Sequence, residues 1–137
     1  MGVKPGYLAA VKKGTYTVAE MGQWSLAGLT RETLDSTAFG DTYKQFEVGI
    51  GDYGTISFQG NYDPTDTNGQ VALNTACIAA TQVTDLYFYI DSVSYWRVSN
   101  TNSDYILLTK CNAVAADKSG IATVSFEGKV SGSMKLV

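Results

Sequence analysis

The chain has 137 residues, 45% hydrophobic and 17% charged, with a net charge of −3 and no histidine. That length suits one domain that removes roughly two-thirds of its unfolded surface from water. The acidic balance, with a pI near 4.7, argues against sequence-specific reading of DNA or RNA, which needs a basic patch. The missing histidine removes the commonest general base and metal ligand.

In chain order, residues 1–13 read as a short basic arm broken at Lys4-Pro5-Gly6. The arm lacks the apolar core of a signal peptide, and no stretch approaches the roughly 18 apolar residues of a membrane span. Folding in a cytoplasm is expected. Residues 15–19 (TYTVA) and 23–28 (QWSLAG) alternate polar with apolar, as strands do, with a bend or bulge at Met21-Gly22. Thr30 to Leu34 continues as strand. From Asp35 to Asp52 neither helical nor strand period is sustained, so this stretch is expected as a long loop. Loops of that length are usually functional or disordered, and Phe39, Tyr43, Phe46, Val48 and Ile50 argue against disorder.

Gly54 to Tyr62 has a clean period of two, with Ile56, Phe58 and Tyr62 opposite Thr55, Ser57, Gln59 and Asn61. Asp63-Pro-Thr-Asp66 is a turn, and Asp66 or Asn68 caps a charge-free helix from Gln70 to about Ala80. Strands follow at 85–91 (Leu86, Phe88 and Ile90 opposite Tyr87 and Tyr89) and at 94–98. A strand at 105–116 changes phase at Cys111, which predicts a bulge. The last long strand, 121–132, turns Ala122, Val124, Phe126 and Val130 inward, opposite Thr123, Ser125, Glu127, Lys129 and Ser131. The class is mostly β: a sandwich or split barrel of about seven strands with one flanking helix. Cys77 and Cys111 sit in apolar surroundings and read as buried reduced thiols, with a disulfide as the alternative.

Three motifs have the residue types of chemical sites. Gly49-Ile-Gly51-Asp-Tyr-Gly54 has the letters of a dinucleotide fingerprint, but a strand follows it where the pyrophosphate needs a helix N-terminus. Its glycines are instead expected to supply positive φ where the loop re-enters the sheet. Asp66-Thr-Asn68-Gly69 resembles the middle of a calcium loop, yet Pro64 and Thr75 stand where ligands are required. The pairs Asp85/Asp91 and Asp63/Asp66 suit solvated turns. No cofactor and no metal are expected, and the chain does not read as an enzyme.

The order of these features resembles the tail tube (major tail) proteins of tailed bacteriophages, especially those with long non-contractile tails. The resemblance runs from about Trp24 to Val130. It is carried by Trp24, Asp35-Ser-Thr37-Ala-Phe39-Gly40-Asp41, Phe46-Glu-Val-Gly49, Asp52-Tyr-Gly54-Thr-Ile56-Ser-Phe58-Gln-Gly60, Asp63, Asp66, Gln70 and Leu73, with the strand ending at Gly132. It implies one domain over 1–137, in which six subunits form a ring and strands of all six join into an inner β-barrel. The rings stack into a tube that encloses a tape-measure protein and conducts double-stranded DNA without binding it specifically. Tail terminator and distal tail or baseplate proteins are the further partners. The implied location is the virion tail, assembled in the host bacterial cytoplasm.

On this resemblance residues 35–53 are an inter-ring stacking loop, with Asp35, Phe39, Asp41, Tyr43, Phe46, Gly49, Gly51 and Asp52 as its contact and hinge residues. Thr55, Ser57, Gln59, Thr123, Ser125 and Glu127 are candidates to line the lumen. Lys129 fits a lumen poorly, unless it pairs with Glu127 of a neighbour or lies outside. Lys4, Tyr7, Val71, Tyr87 and Tyr89 are assigned to the subunit interface. The related secretion and gene-transfer tubes share the same physics. The alternative is a carbohydrate or adhesion module with Tyr87, Tyr89, Tyr95 and Trp96 as an aromatic platform.

Overall fold

The computed structural model describes residues 9–18 and 21–137; the assignments of Lys4 and Tyr7 lie outside them. Two antiparallel sheets face one another across an apolar core. One sheet holds, in spatial order, β11 (Met134–Leu136), β8 (Tyr95–Val98), β7 (Leu86–Tyr89), β1 (Ala10–Lys13) and β2 (Tyr16–Thr17). The other runs β3 (Met21–Leu26), β6 (Thr55–Asn61), β10 (Thr123–Ser131), β9 (Tyr105–Ala115). A two-stranded hairpin, β4 (Thr30–Asp35) with β5 (Phe46–Asp52), stands apart from both sheets, and helix α1 (Gln70–Ile78) packs on β9.

The period-two pattern explains the sandwich. Val11, Leu86, Phe88 and Val98 of the first sheet meet Ile56, Phe58, Ile106, Val124 and Phe126 of the second, and all are fully buried. Burial of each such side chain contributes about 1.5–3 kcal/mol. Phe58 stacks on Phe126 with ring centres 5.1 Å apart, and Phe88 bridges the layers to Phe58 at 5.7 Å and Trp24 at 5.5 Å. The Trp24 indole N–H donates to the Tyr89 carbonyl at 3.0 Å, which satisfies its polar end in the core.

Several expectations are corrected. The structure has eleven strands among the described residues, where the sequence suggested about seven. The end of the expected arm, Ala10–Lys13, is strand β1 in register with β7 (Val11 opposite Phe88). Its single buried valine is too short a signal to show period two. The stretch 35–53 is loop only over residues 36–45: Asp35 ends β4 and Phe46–Asp52 is a strand, with Asp35 opposite Phe46 and Thr30 opposite Asp52. Gly49 and Gly51 lie within that strand without positive φ, and only Gly54, at φ +77°, uses the left-handed region. A Cβ on Gly49 would press on Glu32 at 3.3 Å, and one on Gly51 on Leu29 at 2.9 Å, so these glycines serve close cross-strand packing.

The helix stops at Ile78 because Ala80 takes φ +55°. The Ala80 and Thr81 N–H groups then donate to the Cys77 and Ala76 carbonyls at 3.2 and 2.9 Å, closing a Schellman cap. At the other end the N-cap position is Gly69 rather than Asp66 or Asn68, and the Asp66 carboxylate accepts the Gln70 N–H at 3.1 Å from three residues upstream of it. The expected bulge at Cys111 is present: Cys111 and Asn112 together oppose Phe126, and Asn112 has φ +49°. Cys77 and Cys111 are paired as a disulfide, with Cα atoms 6.4 Å apart, which corrects the reduced-thiol reading and staples α1 to the bulge of β9.

Candidate assembly surfaces

The face of the four-stranded sheet turned away from the core carries a continuous polar field. Cross-strand register aligns Gln23 with Gln59 and Ser25 with Ser57 on one side. On the other, Ser57 meets Glu127 and Gln59 meets Ser125, while Lys110 stands opposite Glu127. Antiparallel partners share a face, and here they bond one another: Ser25 to Ser57 at 2.9 Å, and the Gln59 amide to the Gln23 carbonyl oxygen at 3.1 Å. Thr55, Ser57, Gln59, Thr123, Ser125 and Glu127, the lumen candidates of the sequence, come together on this one face. Gln23 and Ser25 join them without having been expected there, although their alternation around Trp24 is the signal for it. Lys129 is committed within its own chain. Its ammonium donates to both carboxylate oxygens of Asp52 at 2.9 Å, so the field is nearly neutral. That hydrogen bond, with one from the Gly54 N–H, holds the Asp52 carboxyl below the usual carboxylate range.

The outer strands of this sheet, β3 and β9, are edges. β9 exchanges a single bridge with Val83 at Ile106, and beyond it the edge has no strand partner among the described residues. Unpaired edges present N–H and C=O groups that template another chain.

The hairpin is exposed on both faces. Leu34, Tyr43, Phe46, Val48 and Ile50 are solvated, and Phe39 at the tip is fully exposed. Such apolar surface on a projecting element marks an interaction site. The tip is nevertheless built. Asp35 accepts the Thr37 N–H at 2.9 Å, Asp41 accepts the Ala38 N–H at 2.7 Å, and the Gln45 N–H donates to the Thr37 hydroxyl at 2.9 Å. The Thr37 bonds hold the Asp35 carboxyl below its ordinary range. Of the expected contact residues, Phe39, Tyr43 and Phe46 are available on this element, while Asp35, Asp41 and Asp52 hold its turns.

The outer face of the five-stranded sheet gathers tyrosines and cations. Tyr95 lies 4.7 Å from Tyr89 and 5.4 Å from Tyr87, ring to ring. The Lys12 ammonium sits 4.6 Å over Tyr89 and the Arg97 guanidinium 5.4 Å over Tyr87. Trp96 does not join them: it is opposite Phe88 and packs against the core. The tyrosines are legible in the sequence and the cations are not, because Lys12 reaches them only through the unexpected strand β1. Val71 lies on the helix, away from these tyrosines, at 37% exposure.

No family sequence model matches the chain, and no characterised protein matches it by sequence. Its fold matches solved structures. A chain in the tail of an empty gene transfer agent particle, refined helically with C6 symmetry, gives a TM-score of 0.74 at 15% identity, over 98% of this chain and 99% of that one. A chain of an extracellular contractile injection system, in its extended sheath/tube terminator, gives 0.73 at 16% identity over 100% and 98%. A chain in the virion of a native gene transfer agent gives 0.66 at 14% identity over 98% and 99%. The chain therefore has, along its whole length, the fold found in these tail and tube assemblies.

Proposed function

We propose that the chain is the structural subunit of a phage-type tail tube, in which hexameric rings stack into a hollow tube around a tape-measure protein and later pass double-stranded DNA. The carrying observation is the near-neutral polar face bounded by two strand edges, β3 and β9. Joining those edges between neighbours turns an aggregation hazard into a closed barrel. Thr55, Ser57, Gln59, Thr123, Ser125 and Glu127 then line the lumen.

The mechanism is passive. Counterion release makes a basic lining adhere to DNA. Hydroxyl and amide side chains that bond one another, and a lysine held by Asp52, leave phosphate little to grip. The hairpin is the inter-ring element, with Phe39, Tyr43 and Phe46 as its contacts. Terminator and distal tail proteins cap the two ends, the tube forms in the host bacterial cytoplasm, and the virion tail is its destination. No step requires catalysis or a cofactor.

The test is negative-stain microscopy of concentrated protein. Hollow tubes of uniform width with a regular axial repeat support the reading. Subunits that stay monomeric even with tail-tip complexes as seeds refute it. In that event the Tyr87–Tyr89–Tyr95 cluster favours a carbohydrate-binding module, which glycan binding lost on Tyr89→Ala would establish.

A further inference from the structure

We infer that the tyrosine–cation face of the five-stranded sheet is the receiving surface for the hairpin of a second copy of the chain. This rests on the tube reading and adds the partner surface. The chain is acidic overall, yet the outward strand residues of this face include Lys12, Arg97 and Lys135, with Lys135 opposite Arg97 in register. No carboxylate stands among the described outward strand residues there. The hairpin is the converse. Glu32, Asp35, Asp41 and Glu47, besides the paired Asp52, outnumber Arg31 and Lys44.

Charge is matched by shape and polarity. The hairpin presents exposed apolar side chains on both faces and an aromatic tip, and the receiving face offers three half-buried rings. Phe and Tyr packed on tyrosines beside cations combine ring contact with cation–π attraction. At roughly 3.3 Å per residue β4 from Thr30 to Asp35 spans about 17 Å, and the tip carries Phe39 beyond it, far enough to lie on the sheet of a neighbouring copy. Within its own chain the hairpin is anchored at its foot by Lys129 and Asp52, which leaves the tip to another copy.

The test is charge exchange, read by the rate of tube growth in light scattering. Glu32 and Glu47 are the hairpin positions to change, because Asp35 and Asp41 hold turns. The face-reversed chain (Lys12→Glu with Arg97→Glu) and the hairpin-reversed chain (Glu32→Lys with Glu47→Lys) should each grow at least about tenfold more slowly than wild type at low salt. The chain carrying all four substitutions should regain most of that rate. Wild-type tubes, assembled from isotope-mixed subunits and joined by a zero-length carbodiimide, should yield intermolecular links from Lys12 or Lys135 to Glu32 or Glu47. Reversed chains that grow like wild type, or tubes whose links join other surfaces only, overturn the receiving-face assignment and leave the tube reading standing. A folded fourfold variant that stays inactive also overturns it. A wild-type chain that never assembles, even seeded, overturns both.

Discussion

At the scale of single residues, backbone conformation and close approach decide more than side-chain chemistry. Ala80 holds a left-handed conformation that costs an L-residue about 1 kcal/mol or more and glycine nothing. Ala80→Gly should therefore stabilise the fold by about 1 kcal/mol, raising Tm by a few degrees in a calorimetric scan. Gly128 gives the opposite case. A Cβ there would approach the buried Ile106 side chain to 2.7 Å and the Leu107 carbonyl to 3.2 Å. Gly128→Ala should cost about 1–3 kcal/mol by overpacking, whereas Gly120→Ala, which meets open space, should change little. The Cys77–Cys111 bridge spans 34 residues of sequence, so its reduction should lower stability by about 4 kcal/mol in the chain-entropy limit, seen as a fall in Tm with reductant. Neither the left-handed alanine nor the disulfide was readable from residue type alone. Ala is a helix former, and two lone cysteines in apolar runs look the same paired or free.

At the scale of elements, legibility followed burial. The strands with one buried face, β6 and β10, announced themselves: Ile56 and Phe58, and Val124 and Phe126, alternate with hydroxyl and amide residues as the register requires. The hairpin did not, because both its faces are wet and nothing selects an alternation. A bulge at Gly49-Ile50 opposite Glu32 further breaks its phase. Its foot depends on Asp52, whose folded pKa is depressed. A depressed carboxylate stabilises above its unfolded pKa of about 3.9 and loses that contribution as pH falls through the lower folded value. Hydrogen exchange of the β4 and β5 amides should stay flat, after correction for intrinsic rates, from pH 8 to about 5 and rise only in acid below about pH 4. Asp52→Asn should show the faster exchange at neutral pH as well. Gly51→Val carries the same logic into assembly. The valine must displace Leu29 at the hairpin's foot without touching the sandwich core, so the monomer's melt should survive while tube growth stops. Unchanged growth would count against the hairpin as the stacking element.

At the scale of the whole molecule, the two sheets have opposite outward characters. One face is a field of serine, threonine and glutamine in which Ser25 bonds Ser57 and Gln59 bonds Gln23; the other carries tyrosines under cations. In the free chain the polar face is open to solvent, so exposure there cannot distinguish a lumen from an outer wall. Assembly can. A cysteine at position 57 lies beside Ser25 and Glu127 in the middle of the field, and a tube closes that surface to anything wider than its bore. Ser57→Cys subunits should react with small and polymer-linked maleimides alike while monomeric. Once assembled, they should react with the small reagent and exclude the large one, whereas Lys12→Cys at the opposite sheet should lose access only where a hairpin covers it. Free reaction of position 57 with large maleimides from outside an intact tube would turn the subunit around. The tyrosine–cation sheet would then line the bore, and because a cationic lining grips phosphate, DNA would be held by such a tube rather than passed through it.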